Sequence, residues 1–214
     1  MTAEALARFA SPGWQSRPDP ELLPSGIPGI QIPRGSLTAI YGPPSSGRTS
    51  LLVSVLAEAT SRQEICALVD SEDAFDPASA AQAGVALERL IWVRSANQAE
   101  HALKAADLLL QGGGFGLVAL DLGDLPSARR ISLTSWFRLR RAVEHTPTVL
   151  LALSLQPHAR TCASLLIECR RESAAWSGAS SQLPAGRLLR GFAVRATSTQ
   201  RSKVCSPAFT ARAI

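Results

Sequence analysis

The chain has 214 residues, 46% of them hydrophobic and 18% charged, the size and balance of one folded domain with short tails that can bury a core without disulfides or a structural metal. Lys and Arg together exceed Asp and Glu by five, and no apolar run approaches the roughly eighteen residues needed to cross a bilayer, which sets aside a membrane-spanning helix. Cys66, Cys162, Cys169 and Cys205 form no C-x-x-C pair and no charged-then-apolar leader precedes them, so reduced thiols and a cytoplasmic protein are expected.

In chain order, residues 1–33 read as an N-terminal helix and a Pro-rich arm. Thr2 to Phe9 has helical composition, and prolines at 12, 18, 20, 24, 28 and 33 forbid a long helix after it. Residues 34–214 read as the core with a short C-terminal strand extension. Leu37 to Tyr41 is a buried strand by pattern, and Leu51 to Ala57 is the start of a helix. Between them, Gly42-Pro43-Pro44-Ser45-Ser46-Gly47-Arg48-Thr49 follows the phosphate-cradling pattern G-x-x-x-x-G-K-[ST], with Arg48 in the lysine position. Glycines at 42 and 47 let the backbone wrap so that N–H groups point inward, and the helix opening at Arg48, Thr49 and Ser50 adds its positive end. The Thr49 hydroxyl suits Mg²⁺. Arg48 keeps the positive charge but replaces a compact ammonium with a wide planar fork, which endangers transition-state stabilisation more than binding.

Further strands are expected at Ile65 to Val69, Leu90 to Val93, Leu117 to Leu120 and Thr148 to Leu153. A helix from Asn97 to Gln111 has Asn97 as its cap with Glu100 three residues on, and Gly112 to Gly114 end it. A second helix, Ile131 to Glu144, gathers Trp136, Leu139 and Val143 on one side and sets Arg138 and Arg141 elsewhere. Glu172 to Arg190 has no clear period and reads as a loop or hairpin connection, after which Phe192 to Thr197 and Ser202 to Phe209 form an antiparallel edge. The alternation defines an α/β fold with a mainly parallel sheet and crossover helices.

Two acidic features follow the loop. Val69-Asp70-Ser71-Glu72-Asp73-Ala74-Phe75-Asp76-Pro77 is a carboxylate cluster at a strand end, and Leu117 to Asp121 is an apolar strand ending in a carboxylate that could orient a metal-bound water from a neighbouring strand tip. Arginine is concentrated after Pro126. That surplus fits nucleic acid, and it equally fits a solvated basic face or an acidic protein partner; charge alone does not separate these. His101, His145 and His158 lie in no ligand pattern, so no zinc site is expected.

Read together, Ile40 to Thr49 and Val69 to Pro77 strongly resemble the ATP-binding core of the RecA recombinase family, a P-loop NTPase fold. The likeness extends from Leu23-Pro24-Ser25-Gly26-Ile27 to Gln200 to Phe209. It implies ATP and Mg²⁺ as cofactors. Glu72 falls at the place of the family's catalytic glutamate, which polarises the attacking water beside the phosphate-bridging residue, here Arg48. Asp121 and Thr49 would hold the metal, and Asp76 matches the acid that contacts the base. Arg201 and Lys203 stand where two basic residues reach a neighbouring subunit's terminal phosphate, which implies self-assembly. Ser79 replaces the family's adenine-stacking aromatic, and the connections Leu122 to Arg130 and Ser154 to Cys162 look too short for its two long DNA-contacting loops. A shortened core with an altered phosphate loop is also similar to the ImuA-type accessory proteins of bacterial mutagenesis cassettes. That likeness implies the SOS response to DNA damage, translesion polymerase partners and single-stranded DNA. The alternative is a non-catalytic adaptor that keeps the fold with a decayed nucleotide site.

Overall fold

The computed structural model describes residues 21–176, 189–200 and 203–212, the side chains of Gln200, Lys203 and Arg212 excepted. The expected helix from Thr2 to Phe9 lies outside them. Period-two alternation decides how the sheet is covered. Leu37 and Ala39 of β3 (Ser36–Tyr41) join one core with Ala67 and Val69 of β4 (Cys66–Asp70), Val118 and Leu120 of β6 (Leu117–Asp121), and Leu150 and Ala152 of β7 (Val149–Ser154). The intervening Ile40, Leu68, Leu117, Ala119, Leu151 and Leu153 join a second core on the opposite face. These strands are buried along nearly their whole length, as expected of a parallel sheet with helices on both faces.

Helix α1 (Arg48–Ser61) seats Leu51, Leu52, Val55 and Leu56 on one face, joined by Ala80 of the short α2 (Pro77–Gln82). Fully burying each such leucine contributes about 2 kcal/mol. Helices α3 (Ala99–Gly112) and α4 (Leu133–Val143) cover the other face, with Ala102, Leu103 and Ala106 beside Trp136, Leu139 and Val143. Trp136, Leu139 and Val143 lie on the buried side as their spacing requires. Asn97 does not cap α3: it sits at φ 60° and the cap is Gln98, which makes no side-chain cap bond. The Asn97 N–H is instead donated to the Ser71 carbonyl at 2.8 Å, so the residue turns the chain rather than starting the helix.

The main sheet has nine strands among the described residues, in the order β10-β9-β8-β3-β7-β6-β4-β5, where β5 is Leu90–Arg94, β8 Leu165–Trp176, β9 Leu189–Gln200 and β10 Lys203–Cys205. Pairing is parallel from β5 through β8. The C-terminal edge is antiparallel, with β10 and β11 (Ala208–Arg212) both on β9. The expected antiparallel extension is therefore present and longer than its pattern suggested. The aperiodic stretch after Arg170 is paired strand as far as Trp176, which lies opposite Leu189. The Pro-rich stretch before residue 34 is also ordered into the core from Leu22: β1 (Leu22–Pro24) and β2 (Gln31–Pro33) pair as a hairpin, and Leu23, Ile27, Ile30 and Ile32 are buried in the core that holds α1. No described helix is long and apolar enough to cross a membrane, and none of the four cysteines is in a disulfide.

Candidate functional site

The loop between β3 and α1 has no room for side chains where its glycines fall. A Cβ on Gly42 would overlap the Cys169 carbonyl oxygen of β8, and one on Gly47 would come within 2.6 Å of Val194 Cγ2 on β9. Gly47 also sits at φ 92°, a left-handed conformation in which any other residue is strained. The C-terminal hairpin thus forms the back wall of the loop. Ser46 donates its backbone N–H to the Pro43 carbonyl at 3.2 Å, while its buried hydroxyl has no partner. Pro43, Pro44, Ser45 and Thr49 are exposed and Ser50 half-buried, and the first-turn N–H groups at Arg48, Thr49 and Ser50 begin α1 without acceptors inside the helix. A cradle closed to side chains behind, open in front, with an orphan hydroxyl and a helix N-terminus, fits a phosphate group.

Asp121 stands at the tip of β6. Contrary to the sequence expectation, β6 is not the neighbour of β3: β7 lies between them, and Asp121 is in register with Asp70 of β4. Asp121 Oδ1 accepts from Gly123 N at 2.9 Å, and Asp124 N in turn donates to Glu72 Oε1 at 3.1 Å. Gly123, at φ 53°, leaves no space for a side chain because the Glu72 carboxylate occupies it. Arg48 then closes the group, donating from Nη2 to Asp124 Oδ1 at 2.8 Å and from Nη1 to the Gly123 carbonyl at 3.4 Å. Burial pushes the Asp121 carboxyl up to about 6, helped by the charges of Asp70 and Glu72 and opposed by the Gly123 bond and by Arg48. Such a carboxyl gains from any cation that arrives.

Glu72 is placed by Asp70. One oxygen of Asp70 accepts from Glu72 N at 3.2 Å, and the other accepts from Phe75 N at 2.9 Å and Trp92 Nε1 at 3.3 Å. The structure thus brings Arg48, Glu72 and Asp121 together through the Gly123-Asp124 turn. Asp124, Gly123 and Val194 were missed by sequence reasoning, and Asp70, seen there only as one acid of a cluster, was given no positioning role. Asp124 carried a faint signal, as an acid in a Gly-Asp turn just past a strand-end carboxylate; Val194 carried none. Among the described residues no three His, Cys, Asp or Glu are grouped so as to bind a metal unaided. The Thr49 hydroxyl and Asp121 carboxylate are hard oxygen donors, which suit Mg²⁺ completed by phosphate and water oxygens.

Asp76 and Ser79 lie on a separate wall. Asp76 caps α2, accepting from Ala78 N at 3.3 Å, from Ser79 N at 3.0 Å and from the Ser79 hydroxyl. The Ser79 hydroxyl bond, followed by the backbone bonds, holds its carboxyl below the usual range. Both residues face a cavity of about 880 Å³ that also reaches Thr49, Ser50, Phe209 and Gly26. Arg201 lies outside the described residues, and Lys203 is described only in its backbone, at the start of β10.

The comparisons with known proteins fall on this same region. A model of the RecA N-terminal domain matches residues 23–125. The chain is 44% identical to Protein RecA of Rhodospirillum rubrum over 96 residues, 45% of this chain and 25% of that protein. It is 43% identical to Protein RecA of Teredinibacter turnerae and 41% identical to that of Rickettsia massiliae, each over 96 residues, 45% of this chain and 27% of the relative. The match spans about a quarter of the length of these relatives. It takes in the phosphate loop, Glu72, Asp76 and Asp121, each on the element that the fold assigns it. Over residues 23–125, just under half of its length, the chain matches the RecA family.

Proposed function

We propose that this is a RecA-like protein of bacterial DNA repair that binds ATP with Mg²⁺ at Gly42 to Ser50, hydrolyses it slowly, and works by assembling with itself or with translesion polymerase partners in the SOS response, with single-stranded DNA as a further partner. One observation carries the reading: a glycine-closed cradle on β3 and α1 whose cationic residue, Arg48, meets the turn that links Asp121 to Glu72. Bound ATP supplies the phosphoryl group. Thr49 and Asp121 hold the cation, Glu72 orients and deprotonates water, and Asp76 and Phe209 face the base. Arg201 and Lys203 serve the neighbouring subunit's site.

Slow turnover follows from Arg48. Its fork is already engaged by Asp124, so phosphate must displace a carboxylate to recruit it. The same pair favours the second reading, an adaptor in which the Arg48 and Asp124 contact has replaced the nucleotide. Calorimetry with ATP and Mg²⁺ decides between them. Binding heat at micromolar to millimolar ATP, lost in Gly47→Ala and absent without Mg²⁺, supports the ATP-binding protein. No heat at millimolar ATP establishes the adaptor.

A further inference from the structure

The segment 126–145 holds five arginines against one glutamate, a surplus of four in a chain whose whole surplus is five. Most of it lies on α4, which packs its Trp136, Leu139 and Val143 inward. The outer side of this helix is not polar throughout. Leu133 is 54% exposed and Phe137 46% exposed, and with Arg141 they recur every four residues, so they form one stripe along the helix. Beside Phe137 lies a groove of about 530 Å³, lined by Phe137, Arg140, Arg141, Glu144 and His145. Two arginines of the helix are held in place. Arg140 is held by Glu144 at 3.1 Å, and Arg138 is tied to Asp107 of α3 at 3.4 Å. An aliphatic and an aromatic side chain left at helical spacing on a basic helix are the pattern of a surface that receives an amphipathic partner.

We infer that the Leu133, Phe137 and Arg141 stripe of α4 is a docking site for an acidic amphipathic helix of a partner protein, whose aliphatic side chains cover Leu133 and Phe137 and whose carboxylates meet Arg141 and Arg138. Charge complementarity selects the occupant: a segment with aspartate or glutamate flanking leucine-type anchors neutralises the arginines and dries the two apolar side chains at once. Nucleic acid fits less well. Leu133 offers no ring for stacking, and the stripe has a single aromatic. The site lies on the helix face turned away from the sheet, and it stands whether or not the chain binds nucleotide.

The test is a display library of sixteen-residue helical peptides selected on the full chain, with Phe137→Ala and Arg141→Glu as matched variants whose melting curves confirm that they fold. The expected result is enrichment of acidic peptides with aliphatic anchors, whose affinity falls at least tenfold on either variant and falls again between low and high salt. Enriched peptides that lack acidic residues, or that bind both variants as tightly as the parent, overturn the proposal. So does a fluorescent oligo-dT probe that loses binding on the same two variants while no peptide is recovered, because the stripe is then a nucleic-acid surface.

Discussion

Arg48 Nη2 donates to Asp124 Oδ1 at 2.8 Å, and this pair holds the cation of the phosphate loop against a carboxylate. The arginine side chain is 12% exposed and the aspartate 37%, so the contact is only partly screened by water. A pair of this kind contributes about 1 kcal/mol. Asp124→Asn should therefore raise ATP affinity about fivefold by calorimetry, because Arg48 no longer has to exchange one anion for another. An unchanged or weaker affinity would show that Asp124 does not compete with phosphate.

Asp121 gives a pH signature with a definite sign. Its carboxyl has a pKa of about 6 in the folded chain against an ordinary 3.8, so the folded state holds the proton more tightly. Below pH 4 both states are protonated and nothing is gained or lost. As pH rises through about 4 to 6 the unfolded chain ionises first, and stability falls, by at most about 3 kcal/mol once pH exceeds 6. Asp121→Asn should be more stable than the parent at pH 8 and equal to it at pH 3.5 in urea titrations, while its Mg²⁺-dependent nucleotide binding is lost. Equal stability at both pH values would remove the buried-charge account.

Gly47→Ala places a methyl against Val194 and a non-glycine residue at φ 92°. The expected cost is about 1–3 kcal/mol in backbone strain alone, seen as a lower Tm, together with loss of nucleotide binding. Adding Val194→Ala should return part of the stability by relieving the clash, but not the part due to φ. Full recovery in the double variant would mean that the left-handed backbone is not costly here.

Glu72→Gln keeps an oxygen for the Asp124 N–H but removes the base. Phosphate release should fall to the uncatalysed rate while ATP affinity changes less than threefold. Retained turnover would move water activation to another residue.

Ser79→Tyr should strengthen adenine nucleotides selectively, because a ring would line the cavity that Asp76, Thr49 and Phe209 already face. Competition between ATP and GTP measures it. Equal gains for both nucleotides would argue that the base binds elsewhere.

The phosphate loop, its strand and its helix were readable because their signals are local: two glycines at fixed spacing, an apolar run before them and an amphipathic run after. The same holds for β4, β6 and β7, where apolar runs bounded by turns marked buried strands. What escaped were the contacts set by strand order. Nothing in Leu117 to Asp121 tells that β7 separates it from β3, and nothing in Phe192 to Thr197 tells that Val194 backs Gly47. Asn97 failed for a different reason. Its residue type suits a cap and a left-handed turn equally, and the Ser71 carbonyl decided for the turn. Asp76 was read only through its likeness to an acid that contacts the base; it also caps α2, and its bond with the Ser79 hydroxyl depends on the serine that stands where the aromatic was expected.

Strand β7, residues 149–154, bonds to β3 on one side and β6 on the other. A fragment cut at residue 125 would carry every motif of the family match and still lack the middle rung of its own sheet, with Leu151 and Leu153 missing from the core that holds α1, and Leu150 and Ala152 missing, together with α4 itself, from the core that holds α3. The matched segment is therefore not a separable module. Its sheet is completed by residues beyond the family match, so a substitution at Leu150 to Leu153 unsettles the phosphate loop without touching any motif.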